Sequence, residues 1–174
     1  QLMFLRSAKN AEFDIPVQHI EEAVAFVKRC YVPQRGSFSY GLNGYTRTSF
    51  SRSIAGAGIL SLALAGEHQT QMARKTAGFI LAHPFDRFNR GGLTAEDRYY
   101  YGAYYCSQAM FQLGGEDWQK FYPGLLRTFV NHQSRDGSWE REANQDGPLG
   151  LCYSTSFAIL ALTPPYQLLP LYQR

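Results

Sequence analysis

The chain has 174 residues, of which 45% are apolar and 18% charged, a composition typical of one folded domain and not of a disordered chain. The net charge of +3 comes without any run of five like charges, so the sequence predicts no nucleic-acid partner, and it contains no apolar run long enough for a membrane span. Three cysteines lie far apart without a CxxC pair, which excludes a zinc finger and predicts buried free thiols: Cys30, Cys106 and Cys152.

The first part of the chain predicts three helices. Residues 1–10 resemble the closing turns of a helix whose beginning is missing, so we expect the chain to be part of a longer protein. Asp14 is expected to cap a second helix that ends at Val32 and Pro33. A third helix is predicted over residues 51–65, where the small residues 55–58 indicate close approach of another backbone or of a ligand.

The second part predicts four more helices and a tail. They are expected over residues 69–82, from Ala95 to Gly114, from Asp117 to the polar turn at 132–140 with a kink or restart at Pro123, and over 151–163. Thr94 and Asp97 form the start of the Ala95 helix in a pattern close to a capping box. The tail, residues 164–174, is aromatic and contains proline, and we expect it to be extended over the surface.

Three stretches of the chain align as a repeat. They are residues 58–66, 106–114 and 155–163, and Gly66, Gly114 and Thr163 follow one another at intervals of 48 and 49 residues. Such a period, built from two helices, is typical of stacked helical hairpins, which bury their apolar faces against their neighbours. The sequence therefore predicts an all-α single repeat domain over residues 1–174, with hairpins at about 14–66, 69–114 and 117–163.

Two motifs resemble a known family. Residues 133–139 (Gln-Ser-Arg-Asp-Gly-Ser-Trp) are similar to the glutamine-tryptophan repeat of squalene and oxidosqualene cyclases, and residues 153–158 resemble the prenyltransferase and squalene oxidase repeat of uncharacterised bacterial proteins. The resemblance implies an alpha/alpha toroid in which Gln133, Gly137 and Trp139 tie neighbouring hairpins together. Three hairpins make half a ring, which an N-terminal half of the same protein or a second copy would complete.

The signatures of the active members of that family are missing. We find neither of the acidic motifs with which these cyclases protonate their substrate, and Tyr100 stands where the zinc-binding histidine of protein prenyltransferases is expected. The sequence therefore predicts no metal and no cofactor, and it leaves open whether the protein is an enzyme. If it is, the candidate acid is Asp97, with Glu96 and Asp146 as alternatives, although a capping role for Asp97 is favoured.

A polar-tipped aromatic stripe is the candidate binding surface. Tyr101, Tyr104 and Tyr105 share one helix face, which suits stacking on an apolar or sugar ligand as well as simple packing. The further candidates are Arg52, Tyr100 and Tyr153, with an ion pair between Arg52 and Asp97 as the structural alternative.

The leading hypothesis is a binding module whose concave aromatic face holds an apolar ligand, a peptide or a sugar. One alternative is a terpenoid cyclase-like or carbohydrate-active enzyme whose acid is Asp97 or lies in the absent half. Another is an assembly element that closes its ring as a homodimer.

Overall fold

The computed structural model describes residues 1–90, 97–144 and 146–168, and these residues form an all-α fold, as predicted. Eight α-helices and one two-stranded sheet are present in the described ranges. The helices are α1 (Leu2–Asn10), α2 (Val17–Cys30), α3 (Gly44–Thr48), α4 (Arg52–Leu64), α5 (Gln71–Ala82), α6 (Tyr99–Leu113), α7 (Gly115–Asn131) and α8 (Gly150–Leu162). The strands are β1 (Tyr31–Val32) and β2 (Ser37–Phe38), and 3-10 turns occur at Gly147–Leu149 and Pro164–Tyr166.

Apart from the five-residue α3, the helices alternate between two layers along the chain. In one layer α1, α4, α6 and α8 lie side by side, and α2, α5 and α7 pack against them as a second layer. The helices α4 and α6 have neighbours on both flanks, which explains why their buried residues are distributed around most of the helix. This alternation fits helical hairpins in series, whereas closure into a toroid stays a prediction.

Two glycines of α4 allow the close packing that the small residues predict. A Cβ atom added to Gly56 would lie 2.6 Å from the backbone nitrogen of Cys106 on α6. A Cβ atom on Gly58 would overlap the ring of Phe38 on β2. Only glycine fits these two contacts, so the expected close approach is made by neighbouring backbone and side chains of the same chain.

The boundaries of α2 differ from the prediction. Asp14 makes no cap, because Pro16 is extended (φ −57°, ψ 127°) and the helix begins at Val17. At the other end the helix stops at Cys30, and Tyr31 pairs with Phe38 across β1 and β2. The sequence pattern missed this short hairpin because its strands are only two residues long and carry no alternation to detect.

The start of α6 was also predicted wrongly. Asp97 and Arg98 precede the helix, which begins at Tyr99, and Arg98 has an extended backbone (ψ 116°). The other residues of the expected capping box, Thr94 to Glu96, lie outside the described residues. At its end the helix stops as predicted at Gly114, whose φ of +69° is the left-handed region that glycine tolerates.

The last two helices show smaller differences from the prediction. α7 begins at Gly115 and passes through Pro123 as one continuous helix, so Pro123 does not restart it. Cys30 and Cys106 are buried as predicted, but Cys152 is exposed on α8, which corrects that expectation. The tail forms a 3-10 turn at Pro164–Tyr166 where an extended chain was predicted, and residues 169–174 lie outside the described part.

Candidate functional site: the helix starts and the aromatic face

Arg52 and Asp97 form a buried ion pair at the start of α4. The Arg52 side chain donates from Nε to Asp97 Oδ2 at 2.6 Å and from Nη1 to the Pro84 carbonyl at 3.1 Å, and its guanidinium lies 3.9 Å from the centre of the Phe85 ring. The second carboxylate oxygen of Asp97 accepts the backbone N–H of Arg52 at 3.0 Å. Arg52 is 2% and Asp97 1% exposed, so neither side chain of the pair faces a surface where a ligand would bind.

Glu142 has the corresponding place at the start of α6. Its two carboxylate oxygens accept the backbone N–H groups of Tyr99, at 2.7 Å, and of Tyr100, at 3.1 Å. These donors have no partner within a helix, so the carboxylate satisfies them and lies at the positive end of the helix dipole. Burial nevertheless raises the pKa of Glu142, against the lowering effect of these two hydrogen bonds.

The two carboxylates show one rule that the sequence did not reveal. Asp97 follows Arg52 by 45 residues and Glu142 follows Tyr99 by 43, close to the repeat period. Asp97 lies before α6 and caps α4, and Glu142 lies before α8 and caps α6. Each acid therefore caps the first-layer helix that precedes its own loop. The spacing of Asp97 and Glu142, which is close to the repeat length, was the sequence signal for this capping. From the sequence, Asp97 was instead assigned to the start of the helix that follows it.

Tyr99 and Tyr100 lie on the side of α6 that faces the second layer. Tyr100 is fully buried and donates its hydroxyl to the Glu140 carbonyl at 2.7 Å, and Tyr99 donates to the Phe85 carbonyl at 3.1 Å. Both rings pack against Phe129 of α7, and burial raises the pKa of both hydroxyls. Tyr100, a predicted ligand-binding residue, is therefore part of the interior packing.

A second aromatic cluster joins α6 to α8, and we call it the aromatic face. Its ring centres are 4.7 to 5.5 Å apart in neighbouring pairs. Four of its five rings are half-buried, whereas Tyr104 is buried. The members of the aromatic face are Tyr101, Tyr104, Tyr105, Tyr153 and Phe157.

The aromatic face brings together four of the six predicted ligand-binding residues. Phe157 was not predicted, although it lies four residues after Tyr153 on the same face of α8 and contacts Tyr101, Tyr104 and Tyr153. Arg52 and Tyr100 lie elsewhere, in the buried ion pair and in the interior cluster.

A polar group borders the aromatic face. The Tyr153 hydroxyl donates to Asp146 Oδ2 at 3.0 Å, and the same oxygen lies 3.0 Å from Nε of Arg98. Burial and the Asp146 carboxylate raise the pKa of Tyr153. Arg98 is 43% exposed at its side chain, so a cationic edge is accessible beside the rings, whereas Asp146 is held by its two partners.

The predicted repeat motif contributes mainly to structure. The Trp139 indole donates to the Phe129 carbonyl of α7 at 2.8 Å, and its backbone N–H donates to Thr155 of α8 at 3.2 Å. Gln133 donates to the Gly137 carbonyl within the same turn, at 2.9 Å, and Gly137 has a φ of +85°. Trp139 therefore links α7 to α8, and Gln133 fixes the local turn.

The described residues contain no group of three or more His, Cys, Asp or Glu side chains arranged to hold a metal ion. Two histidines 49 residues apart, His83 and His132, place Nδ1 at 2.8 Å from the carbonyls of Phe79 and Thr128 at the ends of α5 and α7.

None of the helices in the described ranges combines the length and apolarity that crossing a bilayer requires.

Comparison of the chain with protein-family models gave no match, and comparisons with curated proteins and with solved structures gave no significant match. The resemblance to the prenyltransferase and squalene oxidase repeat therefore stays a prediction from the sequence.

Proposed function

We propose that this chain is a binding module whose aromatic face binds an apolar ligand. The observation that carries the proposal is the five-ring contact network of the aromatic face, four of whose rings stay partly exposed although the same helix buries Tyr99 and Tyr100 completely. Partly exposed aromatic rings lose apolar surface to water on binding a ligand, at about 25 cal/mol per Å².

The contacts of the candidate acids favour a binding function over a catalytic one. A general acid must place an oxygen within hydrogen-bonding reach of the substrate. Both oxygens of Asp97 accept hydrogen bonds from Arg52, and Asp97 is 1% exposed. Asp146 is engaged by Arg98 and Tyr153, and Glu96 lies outside the described residues.

The proposal also includes the toroid arrangement, with α4, α6 and α8 as inner helices. The alternation of the two layers and the 48- to 49-residue period support it. In that arrangement the aromatic face is turned away from α5 and α7 and lines the concave side of the array.

The test is a titration of the purified chain with farnesol as the apolar probe and maltotriose as the sugar probe, followed by NMR and calorimetry. We expect farnesol to bind and to shift the resonances of Tyr101 and Phe157. The variant Tyr101→Ala should weaken farnesol binding about tenfold, since truncation of a central interface aromatic typically costs 1 kcal/mol or more.

The matched control is Tyr40→Ala, because Tyr40 is 70% exposed and lies outside the aromatic face. This variant should bind farnesol as the unchanged chain does. Equal weakening by both substitutions, or no binding of farnesol, would reject the apolar-ligand proposal, and preferential binding of maltotriose would assign the face to sugars instead.

A further inference from the structure

A cavity lies between α1, the start of α2 and the end of α4, away from the aromatic face. It has a volume of about 330 Å³. Pockets for small ligands typically begin at about 300 Å³, so this cavity is large enough for a small amphipathic molecule. None of its lining residues belongs to the aromatic face, so it is independent of the function proposed above.

The apolar part of the cavity wall is aliphatic. It comes from three helices, and its largest side chains are Leu2, Leu5, Ile20 and Leu64. Leu2 is buried, whereas Leu5, Ile20 and Leu64 are half-buried, so part of their apolar surface is still open to solvent. An alkyl chain in the cavity would cover this surface, and removal of apolar surface from water favours binding.

Two cations border the same cavity. Arg6 and Lys9 are three residues apart on α1, so their side chains share one helix face. Within the described part of the chain neither of them forms an ion pair with a carboxylate.

The negative groups at the end of α4 are already engaged elsewhere. The last turn of α4 carries a partial charge equivalent to about −0.5, which is small against two full positive charges. Its carbonyls at Leu62 and Ala63 already accept the backbone N–H groups of Ala65, Gly66 and Glu67. The Glu67 carboxylate is paired with Lys28 at 2.7 Å. The cavity therefore combines an aliphatic wall with two cations that form no ion pair within the described residues.

We propose that this cavity binds the carboxylate form of a medium-chain fatty acid. The alkyl chain lies against Leu2, Leu5, Ile20 and Leu64, and the carboxylate is held by Arg6 and Lys9. A carboxylate has the geometry for paired hydrogen bonds from a guanidinium, and charge-assisted bonds of this kind are roughly twice as strong as neutral ones.

The test uses three probes on the purified chain, followed by calorimetry and methyl NMR: octanoate, the uncharged 1-octanol and the short anion acetate. We expect octanoate to bind at least tenfold more tightly than 1-octanol and to shift the methyl resonances of Leu5, Ile20 and Leu64. Acetate should not bind measurably. Equal affinities for octanoate and 1-octanol, or shifts confined to other methyl groups, would overturn the proposal.

The variant Arg6→Gln/Lys9→Gln tests the role of the two cations. It should weaken octanoate binding at least tenfold and leave the weak binding of 1-octanol unchanged. The matched control, Lys75→Gln/Arg127→Gln, removes the same charge from exposed positions on α5 and α7 that do not line the cavity. Equal weakening in the control would show attraction by overall charge only and would overturn the assignment of Arg6 and Lys9.

The two proposals fail independently of each other. The variant Tyr101→Ala should leave octanoate binding unchanged, and Arg6→Gln/Lys9→Gln should leave farnesol binding unchanged. Both variants should retain the helical circular dichroism of the unchanged chain, because Arg6 and Lys9 are exposed and Tyr101 is half-buried.

Discussion

Two faces of α6 show how differently neighbouring tyrosines are used. Tyr99 and Tyr100 are 1% and 0% exposed, and each hydroxyl donates to a carbonyl of a loop between the layers. Tyr101 and Tyr105 are half-buried and contact each other, and Tyr101 also contacts Phe157 of α8. The difference shows that the two tyrosine hydroxyls buried between the layers are each satisfied by an acceptor that the tertiary structure provides.

The largest expected effect is at the buried side of this comparison, in the ion pair beside Tyr99. Asp97→Asn leaves the Arg52 guanidinium buried without its counter-charge, which we expect to lower the free energy of unfolding by about 3 kcal/mol. Urea denaturation followed by circular dichroism measures the change. The control is Asp136→Asn in an exposed turn, for which about 1 kcal/mol or less is expected. A loss of similar size in both variants would contradict a structural role specific to Asp97.

A smaller effect should distinguish the two faces directly. Tyr100→Phe leaves the Glu140 carbonyl without its partner and should cost about 1–2 kcal/mol of stability. Tyr101→Phe retains the half-buried ring of the aromatic face and should cost about 0.5 kcal/mol or less. Urea denaturation gives both values, and farnesol affinity should be unchanged by Tyr100→Phe. A larger stability loss for Tyr101→Phe would reverse the assignment of the faces.

The smallest expected effect is a pH dependence at the start of α6, where both faces begin. Burial raises the pKa of Glu142 above its usual value of 4.5, so the folded state holds this proton more tightly than the unfolded state does. The stability associated with the protonated carboxyl is fully present below pH 4.5 and is lost as the pH rises through the folded-state pKa.

The measurement compares urea midpoints of the unchanged chain and Glu142→Gln between about pH 4 and pH 7, since the amide does not titrate in that range. The stability of the unchanged chain relative to Glu142→Gln should fall as the pH rises. A rise with pH would mean that the hydrogen bonds from Tyr99 and Tyr100 outweigh the cost of burying the charge.

The sequence by itself determined the helical class, the hairpin period and most helix positions. These follow from local properties: apolar spacing, the breaks at Gly66, Gly114 and Pro164, and the small residues at 55–58. It also gathered Tyr101, Tyr104 and Tyr105 on one face, because helical geometry alone fixes that relationship.

Only the tertiary structure decided which residues meet across hairpins. The partners of Asp97 and Glu142 lie 45 and 43 residues earlier in the chain, a separation at which side-chain spacing within one helix carries no information. The burial of Tyr100, which was a candidate for ligand binding, likewise depends on α7 and on the loop at Glu140. The cavity beside Arg6 and Lys9 likewise exists only where α1, α2 and the end of α4 converge.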